Sequence, residues 1–161
     1  MRTLLCHNPD SGTKGHDKDS ILSALRLADH DVRYASVKDE NFKSTLVKFG
    51  SQVDLVVAAG GDGTLAEVLT NLPDRSVPVA ILPLGTANNF ARSLGIGGTP
   101  QELVETWQTD HACPASIGSA TGAWGTILFL ESFGVGLFPD FLKQASQRKK
   151  LEGADNLRKG R

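Results

Sequence analysis

Residues 53–69 read Val-Asp-Leu-Val-Val-Ala-Ala-Gly-Gly-Asp-Gly-Thr-Leu-Ala-Glu-Val-Leu. The apolar beginning, residues 53–59, is typical of a buried strand, and the spacing of Leu65, Val68 and Leu69 is typical of one face of a helix. Between them, residues 60–64 supply the glycines of a sharp turn. A strand, a glycine turn and a helix in this order predict an α/β fold.

The turn at residues 60–64 has the chemistry of a phosphate-binding site. Its glycines let an anionic ligand reach the backbone, and a helix that begins near Thr64 adds free N–H groups and a positive dipole end. Asp62 would repel phosphate unless a divalent cation or a water network lay between them, which indicates kinase-like use of a nucleotide with Mg²⁺. The alternative is a tight Asp-Gly turn without a ligand.

A second motif follows the next strand candidate, the apolar segment 79–82. Residues 83–91 read Pro-Leu-Gly-Thr-Ala-Asn-Asn-Phe-Ala and again lead into a helix-like pattern. Together, residues 60–65 and 83–89 resemble the catalytic domain of the diacylglycerol kinase family of lipid kinases, which includes the sphingosine and ceramide kinases. NAD kinases and phosphofructokinases have a turn similar to the first motif alone, so the pair of motifs carries the resemblance.

The loop after the first strand candidate, residues 2–7, adds further site residues. Residues 8–12 read Asn-Pro-Asp-Ser-Gly, which are turn-forming types at a place where α/β sheets bind nucleotide. The alternative is an ordinary surface loop, and Lys14 is either a phosphate partner or a solvated lysine. In the lipid kinases the matching loop touches the nucleotide phosphates, so the resemblance implies that role for Asn8, Pro9, Ser11 and Gly12.

The resemblance implies an ATP-binding kinase domain that transfers the γ-phosphoryl group of ATP to a lipid hydroxyl, such as that of diacylglycerol, with Mg²⁺. Asp62 is the predicted catalytic residue and would organise metal-bound water, whereas no metal ligand is assigned. Ser36 would occupy the place of a hydroxyl residue that contacts nucleotide in relatives. The other predicted nucleotide-binding residues are Gly60, Gly61, Asp62, Gly63, Thr64, Glu67, Gly85, Thr86, Asn88 and Asn89.

Three positions bear on how the turn and its metal are held. Glu67 follows Thr64 by three residues, the spacing of a capping box, and the family also has a glutamate there that helps to fix the turn. Asn89 stands where some relatives have an aspartate, and Ser116 stands where relatives often begin an Asp-φ-Gly sequence, φ being an apolar residue. Fewer carboxylates predict weaker positioning of Mg²⁺ by that route.

The flanking patterns complete a doubly wound, largely parallel sheet with helices on both faces and a final antiparallel hairpin. Asp17 or Asp19 is predicted to cap a first helix with Ile21, Leu22, Leu25 and Leu27 on its buried face. A strand is predicted over residues 31–37, a helix over 41–49, a helix capped by Thr99, and a hairpin within 111–135.

Composition sets the outer limits. The chain has 161 residues with 40% hydrophobic and 22% charged residues and a net charge of −1, which predicts one soluble domain and gives no reason to expect a nucleic-acid partner. Cys6 and Cys113 lie in apolar surroundings, which predicts buried reduced thiols and a cytoplasmic protein. The sequence contains no apolar run of membrane-spanning length, so a lipid substrate implies work at the membrane periphery.

Residues 1–138 are predicted to form the nucleotide-binding domain, and residues 139–161 a basic tail. In the family the chain continues into a mostly β domain that supplies the general base. The basic tail is predicted to be either a contact with anionic lipid or a solvated, truncated link to such a domain. Apolar residues at 133–141 would then lack a partner, which predicts self-association as a homo-oligomer or an aggregate. Alternative functions are a non-catalytic nucleotide-binding remnant, a regulatory module, or an NAD kinase, the last disfavoured by residues 83–89.

Overall fold

The structure is a computed structural model, which describes residues 1–12, 16–107 and 112–130. The chain divides into two units, Met1–Leu130 and Glu131–Arg161. Lys14, the apolar residues at 133–141 and the predicted boundary at 138/139 lie outside the described residues, and the predictions about them stay predictions.

The described elements alternate between strand and helix until the last two strands. In chain order they are β1 (Arg2–His7), α1 (Lys18–Leu27), β2 (Asp31–Ser36), α2 (Phe42–Phe49), β3 (Leu55–Gly60), α3 (Asp62–Asn71), β4 (Val79–Pro83), α4 (Asn89–Ser93), α5 (Pro100–Glu105), β5 (Gly118–Gly122) and β6 (Gly125–Phe129).

Four strands form a parallel sheet in the order β2-β1-β3-β4. Successive residues of β1 and β3 point to opposite faces, so Leu4 and Val56 join one apolar cluster while Leu5 and Val57 join another. The first cluster receives side chains from α2, α3 and α4, and the second receives them from α1 and α5. Both faces are therefore covered, which confirms the predicted doubly wound arrangement.

Local capping explains where two of the helices begin. The Asp17 carboxylate accepts hydrogen bonds from the N–H groups of Asp19 and Ser20, both at 3.2 Å, at the start of α1. Thr99 and Glu102 form a capping box at the start of α5. Both starts agree with the prediction, but Leu27 at the end of α1 is 87% exposed, so its assignment to the buried face was wrong.

The predicted hairpin is confirmed as β5 and β6, which pair in antiparallel fashion from Gly118 with Phe129 to Gly122 with Gly125. The prediction for the cysteines holds for one of the two. Cys6 is buried in β1, and this burial raises the pKa of its thiol to about 12. Cys113 is exposed in the segment before β5, because its apolar neighbours in sequence are not part of a packed strand.

Candidate functional site

The site is built at the edge of the sheet where the parallel strands end. Pairing continues one residue beyond the strands: the Asn8 N–H donates to the Ala59 carbonyl and the Leu84 N–H donates to the Gly60 carbonyl, each at 2.9 Å. The chain leaves β1 towards β2 on one side and leaves β3 towards β4 on the other. Adjacent strands whose connections diverge in this way open a crevice at their carboxyl ends, where α/β sheets bind ligands.

The turn after β3 differs from its prediction. Helix α3 begins at Asp62, with Gly61 as its N-cap, and its first backbone bond runs from the Leu65 N–H to the Gly61 carbonyl at 3.1 Å. Thr64 is therefore inside the first turn and not at the cap, so the predicted capping box with Glu67 was wrong. Helix α3 thus starts three residues earlier than a capping box with Thr64 at the N-cap would place it.

Thr64 instead connects the first motif to the loop after β1. Its side chain is buried and covers Gly60, where an added Cβ would collide with it. Its hydroxyl oxygen accepts a hydrogen bond of 3.2 Å from the Asn8 side-chain amide. The side-chain oxygen of Asn8, Oδ1, accepts a hydrogen bond from the Asp10 N–H at 3.1 Å, which shapes the loop.

The loops touch one another at Gly12, Gly61 and Gly85, where a side chain would not fit without displacement. A Cβ on Gly85 would collide with the Cα of Gly61, and a Cβ on Gly12 would collide with the Leu84 carbonyl. Gly12 also has a φ of +72°, which disfavours other residues. Gly63 is different, because a Cβ there would meet no atom within 4 Å and its φ lies outside the left-handed range. The fold itself thus does not require glycine at position 63.

Asp62 joins the two sequence motifs. Its carboxylate accepts hydrogen bonds from the backbone N–H groups of Asn89 at 3.0 Å and Phe90 at 3.1 Å. These are the first N–H groups of α4, so the carboxylate satisfies free donors and interacts favourably with the helix dipole. The side chain predicted to act in catalysis therefore also holds the second motif against the first.

Asn88 shapes the second motif from within. It has left-handed backbone angles, φ 49° and ψ 47°. Its side-chain oxygen accepts from the Gly85 N–H at 2.9 Å, and its amide donates to the carbonyls of Pro83 at 2.9 Å and Gly85 at 2.7 Å. The structure thus gives Asn88 a role in bracing this loop, while Thr86 and Asn89 are exposed beside it.

Comparison with known proteins bears directly on this pair of linked motifs. The family model described as "Diacylglycerol kinase catalytic domain" matches residues 2–120. The chain belongs to the diacylglycerol kinase catalytic domain family. The match spans every strand of the parallel sheet and the loops that follow β1, β3 and β4.

Curated relatives of this diacylglycerol kinase family domain match it over part of their own length. A "Diacylglycerol kinase" of Bacillus subtilis (strain 168) is 39% identical over 133 residues, which are 76% of this chain and 43% of the relative. A "Probable lipid kinase YegS-like" of Klebsiella pneumoniae (strain 342) is 57% identical over 97 residues, which are 56% of this chain and 32% of that one. The chain spans less than half the length of these curated relatives.

A solved structure shows the same fold. The crystal structure of a diacylglycerol kinase from Bacillus anthracis str. Sterne aligns with a TM-score of 0.58 and 30% sequence identity. The alignment covers 72% of this chain and 42% of that one. The α/β architecture of this diacylglycerol kinase family domain is therefore shared with that structure.

The remaining predicted residues lie around the same edge. Ser36 is buried at the end of β2, next to His7, and its hydroxyl oxygen accepts from the Lys38 N–H at 3.2 Å. Ser11 is half-buried, and Pro9 is exposed. Glu67 is half-buried one turn further along α3. All of the loops that carry predicted residues thus meet at one edge, although Ser36 lies on the outermost strand.

The structure brings together two histidines beside the first loop, a contact that the sequence analysis did not predict. His7 Nε2 lies 3.2 Å from His16 Nδ1, and His7 Nδ1 lies 3.2 Å from the Tyr34 hydroxyl. Burial, and then the charges of His16 and Lys18, lower the pKa of His7. The signal in the sequence was their position, because His7 directly precedes the loop and His16 follows it shortly afterwards.

Within residues 1–12, 16–107 and 112–130, no group of three His, Cys, Asp or Glu side chains is arranged to hold a metal ion. Over the same part of the chain, every helix is too short or too polar to span a bilayer.

Proposed function

We propose that this domain is the nucleotide-binding part of a lipid kinase that transfers the γ-phosphoryl group of ATP to a lipid hydroxyl such as that of diacylglycerol. The observation that carries the proposal is the start of α3, which has no side-chain cap and carries the open position Gly63. It lies at the strand ends where the connections of β1 and β3 diverge. The names of the relatives supply the lipid kinase part of the proposal.

The start of α3 suits an anion such as a phosphate group. The N–H groups of Asp62, Gly63 and Thr64 precede the first intrahelical hydrogen bond, and the N-cap Gly61 has no side chain to receive them. The ten-residue helix adds a positive dipole end at the same place. Phosphate oxygens would satisfy these donors.

Gly63 supports the approach of a ligand. A glycine inside a helix costs about 0.5–1 kcal/mol relative to alanine, and no neighbouring atom would obstruct a Cβ at this position. Packing within the protein therefore does not explain the residue. A ligand that approaches the backbone closely does explain it, since a side chain here would stand between the phosphate and the N–H groups.

The other loops would complete the nucleotide site. Asn8, Pro9, Ser11 and Gly12 would contact the nucleotide from the β1 side, and Gly85, Thr86 and Asn89 from the β4 side. Mg²⁺ would neutralise charge on the phosphates. Asp62 would hold metal-bound water, because each carboxylate oxygen keeps a lone pair beyond the one that accepts an N–H of α4.

We propose that the acceptor side of the reaction lies outside the described residues. We assign no general base among the described residues. We propose that the general base belongs to a part of the protein that corresponds to the length of the relatives not matched by this chain. Such a protein would work in the cytoplasm at a membrane surface, where its lipid substrate is found. The chain by itself would bind nucleotide and transfer phosphate slowly.

Titration calorimetry of the folded chain with ATP and Mg²⁺ tests the nucleotide part of the proposal. Binding should be saturable and should require an intact α3 start. A folded sample that shows neither heat nor a thermal shift at millimolar ATP would refute it. The lipid part is tested with labelled ATP and diacylglycerol in mixed micelles, using the chain extended through any downstream reading frame. Nucleotide binding without transfer by the extended protein would favour a regulatory module.

A further inference from the structure

A line of hydrogen-bonding groups joins β2 to two loops of the site. It runs from the Tyr34 hydroxyl to His7 Nδ1, and from His7 Nε2 to His16 Nδ1, with 3.2 Å at each contact. The other nitrogen of His16, Nε2, lies 2.7 Å from the Ser11 carbonyl oxygen and 3.3 Å from that of Leu84. His16 thus bridges the loop after β1 and the loop after β4.

The acceptors at one end of this line determine the proton on His16. Carbonyl oxygens only accept hydrogen bonds, so His16 Nε2 must carry a hydrogen. In neutral His16 the other nitrogen, Nδ1, is then an acceptor, and it receives the hydrogen of His7 Nε2. His7 Nδ1 in turn accepts from the Tyr34 hydroxyl. Every group in the line then has a partner of the right kind.

Burial supports this order of protons. His7 is wholly buried, and its lowered pKa, caused by burial and then by the charges of His16 and Lys18, keeps it neutral near pH 7. A neutral, immobile His7 is suited to fix the ring orientation of His16, which is half-buried. The same role is common for a partner that selects the tautomer of a functional histidine.

The two carbonyls to which His16 donates would otherwise be poorly placed. The Ser11 and Leu84 carbonyl oxygens converge on one nitrogen, and Gly12 packs directly against the Leu84 carbonyl. Two converging carbonyls present partial negative charge to each other. One N–H between them removes the repulsion and holds the two loops at a fixed separation.

We propose that His16, oriented by His7 and Tyr34, is a positioning residue that clamps the 8–12 loop to the Leu84 segment and so sets the space in which nucleotide phosphates bind. This inference rests on the proposed function. His16 touches no nucleotide in this scheme and acts through the two carbonyls. Its effect should therefore depend on a donor at Nε2 and an acceptor at Nδ1, and not on a charge.

Two substitutions at the same position separate this role from simple packing. Glutamine places an amide N–H and an amide oxygen near the two ring nitrogens of histidine, whereas leucine fills the space without either. His16→Leu should raise the dissociation constant for ATP with Mg²⁺ about threefold to tenfold, the range expected for the loss of one hydrogen bond of ordinary strength. His16→Gln should restore most of that loss.

His30→Gln is the matched control. His30 is also buried and bonded to a hydroxyl, that of Thr3 at 2.7 Å, but it precedes β2 at the opposite edge of the sheet. Its substitution should change the melting temperature and leave ATP affinity unaltered. A parallel loss of affinity in this variant would show that global stability, and not the clamp, controls binding.

The measurements are ATP titration calorimetry at pH 7.5 and ¹⁵N–¹H correlation spectra of the histidine rings in the full chain. The spectra should show the ring hydrogen of His16 on Nε2, with Nδ1 as an acceptor. The other tautomer, or equal affinity losses in His16→Leu and His16→Gln, would overturn the inference while leaving the proposed function intact. Unchanged affinity in both variants would do the same. Absence of ATP binding by the wild-type chain would overturn the proposed function and this inference with it.

Discussion

Substitution of Gly63 separates folding from ligand binding more cleanly than any other change in the site. A Cβ at this position would meet no atom within 4 Å, so the protein does not obstruct alanine, and the side chain of leucine would start into open space. Gly61 is less suitable, because a Cβ there lies 3.3 Å from the Cα of Gly85 and would strain the contact between the two motifs. The variants to compare are Gly63→Ala and Gly63→Leu.

The two effects of Gly63→Ala should have opposite signs. Folding should improve, because alanine loses less backbone entropy than glycine in a helix, by about 0.4–1 kcal/mol in the free energy of unfolding. For a chain of this length that gain raises the melting temperature by about 1–4 °C. Binding should weaken, because a displaced phosphate loses one charge-assisted hydrogen bond, worth about 1.5–3 kcal/mol, or roughly tenfold to hundredfold in affinity.

Thermal unfolding without ligand and titration calorimetry with ATP and Mg²⁺ measure the two quantities on the same samples. Ser23→Ala is the control, since Ser23 is exposed on α1 and its replacement also raises helix propensity. This control should gain stability and bind ATP as the wild type does. Normal ATP binding by Gly63→Leu would show that no ligand approaches the start of α3, and the reasoning about the uncapped helix would be wrong.

The other predictions concern single contacts, pH and turnover. Asp62→Ala should lower the free energy of unfolding by about 0.5–2 kcal/mol in urea titrations, because the start of α4 loses its cap. Asp62→Asn should lower the free energy of unfolding by less, because its amide oxygen still accepts a hydrogen bond, and equal losses in the two variants would contradict the capping role. Thr64→Val should cost about 0.5–1.5 kcal/mol in the same measurement by removing the hydrogen bond from Asn8, and Asn8→Ala in that background should add no further hydrogen-bond loss. Burial, and then the charge of the N-terminus, lower the pKa of His30, so its contribution to stability is present above about pH 6.5 and is lost as the pH falls through its folded-state pKa. The melting temperature of the His30→Gln variant should therefore depend less steeply on pH below about 6.5. An unchanged slope would show that His30 does not cause the pH dependence. The 161-residue chain should phosphorylate diacylglycerol at least about 10²-fold more slowly than the extended protein, since a positioned general base contributes about 10²–10⁴-fold; equal rates in the labelled-ATP assay would place the base within this chain.

Features that depend on neighbours within a few residues could be read from the sequence. The caps by Asp17 and Thr99 involve residues two or three positions away, and they formed as predicted. The apolar run of β3 and the glycine turn after it were likewise recognisable, because periodicity and glycine content are local properties. The pair of motifs also indicated the family, since their residue types and order are carried by the chain itself.

Contacts between distant parts of the chain were decided only by the tertiary structure. Asp62 lies 27 residues before Asn89, and Asn8 lies 56 residues before Thr64, yet each pair is joined by a hydrogen bond. These contacts exist because β1, β3 and β4 are neighbours in one parallel sheet, which brings the loops at their carboxyl ends together. The spacing of Thr64 and Glu67 predicted a capping box, because spacing is a local property. In the structure the Thr64 side chain is buried over Gly60, and its hydroxyl accepts a hydrogen bond from Asn8.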